Sequence, residues 1–442
     1  MKKRITLYLL LAFTCLGLQS CLFQEEDYFD DSSANRATAD VKRCTELLKS
    51  APNGWVMEYY VGEHYLLGGF NLYCLFNDEK VIMASQLYEK GQKSISSLYR
   101  ILSEQSTMLT FDTYNPLLHI YGEPNGSMSD DPNGNLGGDY EFIIMKASAE
   151  RIELKGKKYG NRIIMTPLPE TISWKKYMGA LSDMDEKIYQ YTYDLYIDGL
   201  YTGTLRRNGY SFEITYYNEI GQSLNKKIPF MLTTEGLRFR EALTIDGIVM
   251  QNFVWNNEKE ELVCKDEGAT KAKLLGVNPA GYINYESFIG DYTLDYYTYD
   301  DTGKQLVEKV RDVSIIQKEK GKSYLLTGAV DGYSIPVNYD RTNGVMTLDA
   351  GELLAEENKD YLYLTICDIY TGQLTKTTGI GLFSYVDQSS ENLRFAMISN
   401  GRWGQASGFF LGVFDSKKEN ANYITYIGEI IAGPIFTKKE KE

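Results

Sequence analysis

The sequence predicts a mainly β protein of two or three antiparallel modules, barrel-like or sandwich, each a lipocalin-like meander, with two short helices. Three observations point there. Tyrosine is abundant at 36 residues and proline scarce at 10, and Tyr, Phe, Val, Ile and Thr suit the pleated, half-buried surface of a strand. Apolar residues recur with a period of two: Phe70, Leu72, Cys74 and Phe76 fall on one face, Ile152 and Leu154 alternate with Arg151, Glu153 and Lys155, and Phe212, Ile214 and Tyr216 repeat the pattern. Turn dipeptides sit where hairpins need them, at Asn77-Asp78, Asp198-Gly199, Asn208-Gly209, Asp246-Gly247, Asp331-Gly332 and Asn343-Gly344. Asn, Asp and Gly reach the positive φ angles of tight hairpin turns.

The elements follow in chain order. Residues 1–20 read as a secretory signal, with Lys2, Lys3 and Arg4 before an apolar run from Leu7 to Leu18. That run falls short of the roughly 20 apolar residues a membrane span takes. Leu18-Gln19-Ser20-Cys21 resembles the lipobox of bacterial lipoproteins: Ser20 is small enough for the peptidase, and Cys21 supplies the thiol that takes the lipid, palmitate or a similar acyl group. Gln19 departs from the small or apolar residue usual there, and Thr14 makes Cys15 a poorer site. The competing reading is an ordinary cleaved signal followed by an incidental cysteine. Residues 21–31 form a lipidated tether in which Glu25, Glu26, Asp27, Asp30 and Asp31 cluster. Such a cluster resembles the surface-export signal of Bacteroidetes lipoproteins, and it would also serve as a plain solvated tether. The expected location is the outer membrane, lipid-anchored and facing the cell exterior.

Ser32 or Ser33 can cap a helix whose Ala37, Val41, Cys44, Leu47 and Leu48 share a face, ending near Ser50. That helix opens a first β module over 32–168. A connector helix with Trp174, Met178, Leu181 and Ile188 at helical spacing starts a second module over 169–276. Val277-Asn278-Pro279-Ala280-Gly281 reads as a linker, and 284–437 as a third module. An early aromatic strand opens both the first module (Trp55 to Tyr60) and the last (Phe288 to Leu294), which suits barrels of consecutive hairpins.

The net charge of −14 argues against nucleic acid as a partner, because phosphate rewards basic patches. With Cys15 in the signal and Cys21 lipidated, Cys44, Cys74, Cys264 and Cys367 remain, too scattered for a zinc site or a disulfide framework. His64 and His119 are the only histidines, so any Ser-His-Asp or Cys-His catalysis has to use one of them. His119 ends an apolar, strand-like run and reads as structural. Gly321-Lys322-Ser323 lacks the first glycine of a phosphate loop, since Ile316 holds its place. Asp130, Asp131, Asn133, Asn135 and Asp139 crowd one loop, but Leu136 and Phe142 stand where a calcium loop needs glycine and glutamate. No metal and no cofactor is expected. A glycosidase needs only two carboxylates at the right separation, and 60 acidic residues neither select nor exclude such a pair.

Aromatic residues are the remaining lead, because flat C–H faces of sugars stack on rings. Tyr296, Tyr297 and Tyr299 cluster before the Asp300-Asp301-Thr302-Gly303 turn, and Trp403 lies beside Arg402 in a glycine-flanked loop. These five are the candidate ligand-binding residues. The alternative is that the tyrosines fill cross-strand pairs and Trp403 plugs a barrel end. Trp55, early in a strand with apolar neighbours, reads as core.

Four segments resemble an uncharacterised family of Bacteroidetes outer-membrane lipoproteins carrying a domain of unknown function. They run from Ser50 to Tyr60, Leu109 to His119, Gly137 to Phe142 and Leu154 to Asn161. The likeness is close over residues 20 to 175 and looser beyond, where Leu232 to Phe239 also shares it. Members are often encoded beside starch-utilisation-type receptor and transporter pairs, so the resemblance implies nutrient capture at the cell surface; it brings no catalytic or binding residues. The expectation is a non-catalytic, surface-exposed lipoprotein that binds a ligand or partner in a nutrient uptake system. A glycan is the first ligand expected, and a receptor lipoprotein or outer-membrane transporter the second partner. The rival readings are a hydrolase using a carboxylate pair and a structural envelope lipoprotein without ligand.

Overall fold

The computed structural model describes residues 32–123, 135–217 and 221–440, apart from Leu66 and Asn358. The signal, Cys21 and the tether therefore lie outside the described residues, as do Asp130, Asp131 and Asn133. The chain divides into two compact units, Met1–Asp183 and Met184–Glu442. Among the described residues no helix is long and apolar enough to cross a membrane.

Helix α1 (Ser33–Lys49) starts where a serine can cap it, the Oγ of Ser32 accepting from the Asn35 amide at 3.2 Å. Its apolar stripe buries Cys44 and Leu48. Eight antiparallel strands follow: β1 (Trp55–Val61), β2 (Gly68–Phe76), β3 (Lys80–Ser85), β4 (Ser94–Ser103), β5 (Thr107–Phe111), β6 (Glu141–Ala147), β7 (Ile152–Gly156) and β8 (Arg162–Pro167). Each pairs with the next, and β1 pairs with both β2 and β8, which closes the sheet into a barrel. Trp55, Met57 and Tyr59 of β1 point inward with Phe70, Leu72 and Cys74 of β2, all buried. The Trp55 indole donates to the Leu48 carbonyl at 2.8 Å, which ties α1 to the core. Strand β2 departs from simple alternation, because Asn71 and Tyr73 on its other face are buried too. That face is covered: α1 packs on β2, and Trp174 stacks on Tyr73 with ring centroids 5.5 Å apart.

Helix α2 (Pro116–His119) is a single turn capped by Asn115, whose Oδ1 accepts from the Leu117 amide at 3.0 Å. Helix α3 (Trp174–Lys187) buries Met178, Leu181 and Met184, and the boundary between the two units falls inside it.

The second barrel comprises β9 (Thr192–Ile197), β10 (Leu200–Asn208), β11 (Ser211–Tyr217), β12 (Ser223–Thr233), β13 (Gly236–Ile245), β14 (Ile248–Asn256), β15 (Glu261–Cys264) and β16 (Lys273–Val277). Pairing of β16 with β9 closes it. Asp198-Gly199 and Asp246-Gly247 turn with φ of 50°, 81°, 47° and 77°, the double positive of a type I′ hairpin. Stacked Phe212 and Phe230, with centroids 4.6 Å apart, sit at its centre.

After the single-turn helix α4 (Tyr285–Phe288) comes a sheet of twelve strands. It contains β17 (Gly290–Tyr299), β18 (Leu306–Glu319), β19 (Ser323–Val330), β20 (Tyr333–Asp340), β21 (Val345–Asp349), β22 (Leu353–Glu357), β23 (Asp360–Asp368), β24 (Gln373–Thr375), β25 (Gly381–Val386), β26 (Arg394–Ser399), β27 (Gly408–Phe414) and β28 (Tyr423–Lys438). The series β17-β18-β19-β20-β21-β25-β26-β28 returns on itself through β17–β28. The first half of β28 instead carries β27, then β23, then β22, with β24 also paired to β23. Stacked Tyr285 and Tyr324 (4.4 Å) and Phe395 and Phe436 (5.0 Å) fill its interior.

The architecture is thus mainly β and antiparallel, with two closed eight-stranded barrels and a third, branched sheet in which an eight-strand series also closes. Four α-helices occur among the described residues, the two expected and two more. The unforeseen pair, α2 and α4, are single turns, too short to show a 3.6-residue period. Leu117-Leu118-His119 accordingly reads as strand until the Asn115 cap and Pro116 are seen to start a helical turn. All four described cysteines are buried and unpaired.

Within the second unit a compact joint holds the end of α3 to the third sheet. The Arg341 guanidinium lies 3.9 Å from the centre of the Tyr189 ring and donates to the Glu186 carbonyl at 3.2 Å. The Tyr282 hydroxyl donates to the Arg341 carbonyl at 2.8 Å, and Lys322 reaches Glu186 at 3.7 Å. Removing the guanidinium forfeits a cation–π contact and a hydrogen bond, about 1.4 kcal/mol together. Arg341→Ala should therefore speed limited proteolysis around residues 186–191 roughly tenfold; cleavage at the wild-type rate would show that the guanidinium contributes nothing to order there. A second prediction concerns β7. A Cβ on Gly156 would overlap the buried Asp139 carboxyl. Gly156→Ala should cost about 1–3 kcal/mol in denaturant unfolding, the range for overpacking a filled interior.

Candidate functional site

Three loops meet at one end of the first barrel, and strand direction dictates which three. Strand β1 runs antiparallel to both neighbours, so its C-terminal end at Val61 meets the start of β2 at Gly68 and lies beside the start of β8. The β1–β2 connection (62–67), the run 135–139 before β6 and the β7–β8 connection (157–161) therefore share a rim. Between them lies a groove of about 750 Å³, lined among others by His64, Tyr65, Leu67, Asn135, Tyr159 and Asn161. Grooves of this size, mostly apolar with a few fixed polar groups, are what ligand sites look like.

The backbone at the groove is strained. His64 and Tyr65 hold φ of 52° and 62°, in the left-handed region. Side chains there cost of order 1–3 kcal/mol each, and such strain collects at functional sites. Local bonds impose it: the Tyr65 amide donates to Gly62 at 2.9 Å and that of Leu67 to Val61 at 3.3 Å. The Tyr60 ring meets Tyr65 edge-on at 6.4 Å. Gly62 (φ 91°) and Gly137 (φ 70°) form the floor, where a Cβ on Gly137 would lie in ordinary contact with Gly62 at 3.8 Å.

Asp139 holds the other walls in place. It is 3% exposed, and its Oδ1 accepts from the amides of Lys158 and Tyr159 at 2.8 and 3.0 Å. Its backbone amide donates to the Tyr59 hydroxyl at 2.6 Å, which in turn donates to the Asp139 carbonyl at 2.9 Å. Burial, followed by the neighbouring Asp139 charge, pushes the Tyr59 phenol well above its usual range, so it stays protonated as this donor. The second carboxylate oxygen, Oδ2, is buried against Gly156 with no hydrogen-bond partner. Asn161 ties the walls together by donating from Nδ2 to the Gly137 carbonyl at 2.6 Å, and Asn135 Oδ1 accepts from the Gly137 amide at 2.8 Å. The remaining amide groups, a donor on Asn135 and an acceptor on Asn161, bond to none of the described residues.

His119 lies nearby but off the groove. Its ring stacks on Tyr140 (4.8 Å) and tilts against Tyr114 (5.4 Å), with Nδ1 at 3.1 Å from both the amide and the carbonyl of Asn115. Burial holds its pKa below the ordinary value, so it is neutral at pH 7.

The residues nominated from sequence do not form one platform. Strand alternation turns Tyr296 inward, 2% exposed, where its hydroxyl donates to Glu429 at 2.6 Å, while Tyr297 faces solvent at 48%. Burial, then the Glu429 bond, pushes the Tyr296 phenol up to about 12. Tyr299, half-buried, donates to the Ile369 carbonyl at 3.1 Å. Trp403 is half-buried and packed on the core of the third sheet. Arg402 is exposed and lines a separate groove of about 560 Å³ in that module. Among the described residues no cluster of His, Cys, Asp and Glu is arranged to hold a metal ion. The first-barrel residues escape a sequence search because no single dipeptide marks them. Their one local signal is glycine in all three loops, at Gly62, Gly137-Gly138 and Gly160.

Comparison with known proteins places this site inside a recognised domain. A family model described as a domain of unknown function, DUF4302, matches residues 25–257, and a second domain of unknown function, DUF4987, matches 265–409. No curated protein matches the chain. A solved structure of a protein with unknown function from the DUF3598 family of Nostoc punctiforme is similar at 8% identity. It covers 56% of this chain and 94% of that one with a TM-score of 0.15, a likeness too slight to carry any argument. The DUF4302 match takes in the whole first barrel and more than half of the 442 residues, and the chain belongs to the DUF4302 family.

Proposed function

We propose that this protein is a lipid-anchored component of a nutrient uptake system at the outer face of a bacterial outer membrane, where it binds a glycan without turning it over. The observation that carries the reading is the strained, aromatic groove of the first barrel. Tyr65 and Tyr159 offer rings for the C–H faces of a saccharide, and the open amide groups of Asn135 and Asn161 offer a donor and an acceptor to its hydroxyls. Preformed loops, held by Asp139 and by left-handed backbone, save the ordering entropy that a flexible site loses on binding. Anchorage through Cys21 rests on the Leu18-Gln19-Ser20-Cys21 sequence, and outward display on the acidic tether and the resemblance to Bacteroidetes lipoproteins. A receptor lipoprotein or outer-membrane transporter would take the captured ligand onward.

Purified protein titrated against a panel of oligosaccharides and peptides tests the binding reading. Saccharide binding without released product is expected, and Tyr159→Ala should weaken it by about 1 kcal/mol, roughly fivefold. Product release would move the protein to the rival class of hydrolases using two carboxylates. Absence of any ligand would leave a structural envelope role. Location has its own test: Cys21→Ala should shift the protein from the membrane fraction to the soluble one, and retention with envelope lipids would remove the anchor from the account.

A further inference from the structure

A second groove, in the third module, carries its own chemistry. Its walls come from four places: the 279–280 segment, the β20–β21 hairpin, β25 and the loop after β26. Four groups face it with distinct roles. Phe383 is half-buried, so one part of its ring stays available. Arg402 is exposed, and its guanidinium makes no hydrogen bond or ion pair with any described residue. Its position is nonetheless fixed at the backbone, where its amide donates to Asn400 Oδ1 at 3.2 Å while Asn400 Nδ2 donates to the Gly379 carbonyl at 2.9 Å. Asp349 is held through one oxygen, Oδ2, which accepts from Asn338 at 3.1 Å and Thr347 at 3.0 Å, while Oδ1 bonds to no described residue. Asp340 adds a further negative charge, already occupied by the amides of Thr342 and Asn343 and the Asn343 side chain.

We infer that this groove is a second ligand site, specific for an uncharged, polyhydroxylated pyranose. Charge bookkeeping selects the class. An anionic ligand drawn to Arg402 would be brought against Asp349 and Asp340, and a cationic one drawn to the aspartates would meet Arg402. A neutral polyol uses both signs at once: its hydroxyls donate to Asp349 Oδ1 and accept from the Arg402 guanidinium, each bond charge-assisted. The Phe383 ring takes the apolar face of the sugar. This deepens the glycan reading, and it stands on a different groove from the one that carries that reading.

The test uses the full chain purified in a detergent without sugar headgroups. Titrations run against neutral hexasaccharides of glucose, xylose and mannose, with an oligogalacturonate as the charged comparison. Phe383→Ala and Arg402→Ala should each weaken neutral-saccharide binding tenfold or more, with the melting temperature of Arg402→Ala unchanged because that guanidinium makes no hydrogen bond or ion pair with any described residue. If only Tyr159→Ala weakens binding while both third-module variants bind as wild type, the second site is overturned and the first-barrel reading stands. Preference for the oligogalacturonate would overturn the neutral class. Failure of the wild type to bind any saccharide would overturn both. Should Phe383→Ala misfold, Arg402→Ala decides the question alone.

Discussion

Ring closure of antiparallel strands is the constraint on which the rest of the molecule depends. In the first barrel β1 pairs over its length with β2 and over most of it with β8, so no edge of that sheet is left to pair with another chain. Closure also fixes the alternation: every second residue of β1 must enter the interior, and Trp55, Met57 and Tyr59 do so with full burial. A strand slipped by one residue would drive Glu58 into that interior in their place. The barrel end where the groove lies inherits its geometry from this register, since Val61, Gly68 and Arg162 arrive together only when β1, β2 and β8 hold their observed pairing.

On that frame the groove is assembled by small polar devices rather than by further packing. Tyr59 reaches up from the interior and clasps both the amide and the carbonyl of Asp139, and Asp139 in turn caps the amides that begin the β7–β8 turn. The arrangement leaves Oδ2 of Asp139 unpartnered and demands a glycine at 156. Left-handed His64 and Tyr65 add a further cost. A barrel of this size with buried aromatic layers can absorb a few kcal/mol of local strain, whereas a smaller core could not.

The sequence conveys closure and loop chemistry unequally. Hairpins were legible because their signals are local: Asp198-Gly199 and Asp246-Gly247 both turn with two positive φ angles, as their composition requires. Helix α1 was legible for the same reason, with a capping serine and an apolar stripe in one stretch. What was hidden is what depends on distant partners. Strand β2 alternates in sequence but is buried on both faces, because α1 and Trp174 arrive from elsewhere in the chain. Tyr296 and Tyr297 look like a cluster in a row of letters, yet pleating sends them to opposite sides of β17. The groove residues come from three separate loops, the first parted from the second by strands β2 to β5 and the second from the third by the β6–β7 hairpin, and no period or motif connects them.

Electrostatics then bears on what such grooves can hold. An excess of 60 acidic over 46 basic residues gives a net charge of −14, which disfavours anionic ligands. Most arginines with a role in the fold are satisfied internally: Arg207 by Asp185 and the Ile188 carbonyl, Arg311 by Asp331 and Ala329, Arg394 by Asp387. Arg402 is built differently, anchored at its backbone and unengaged at its guanidinium. Holding a strong donor in a groove beside an aspartate with a spare oxygen, without letting the pair consume its bonding capacity in other internal contacts, leaves hydrogen bonds to be made by whatever enters. A ligand that both donates and accepts from one rigid, uncharged frame meets that demand, and the aromatic walls of the two grooves suit the same frame.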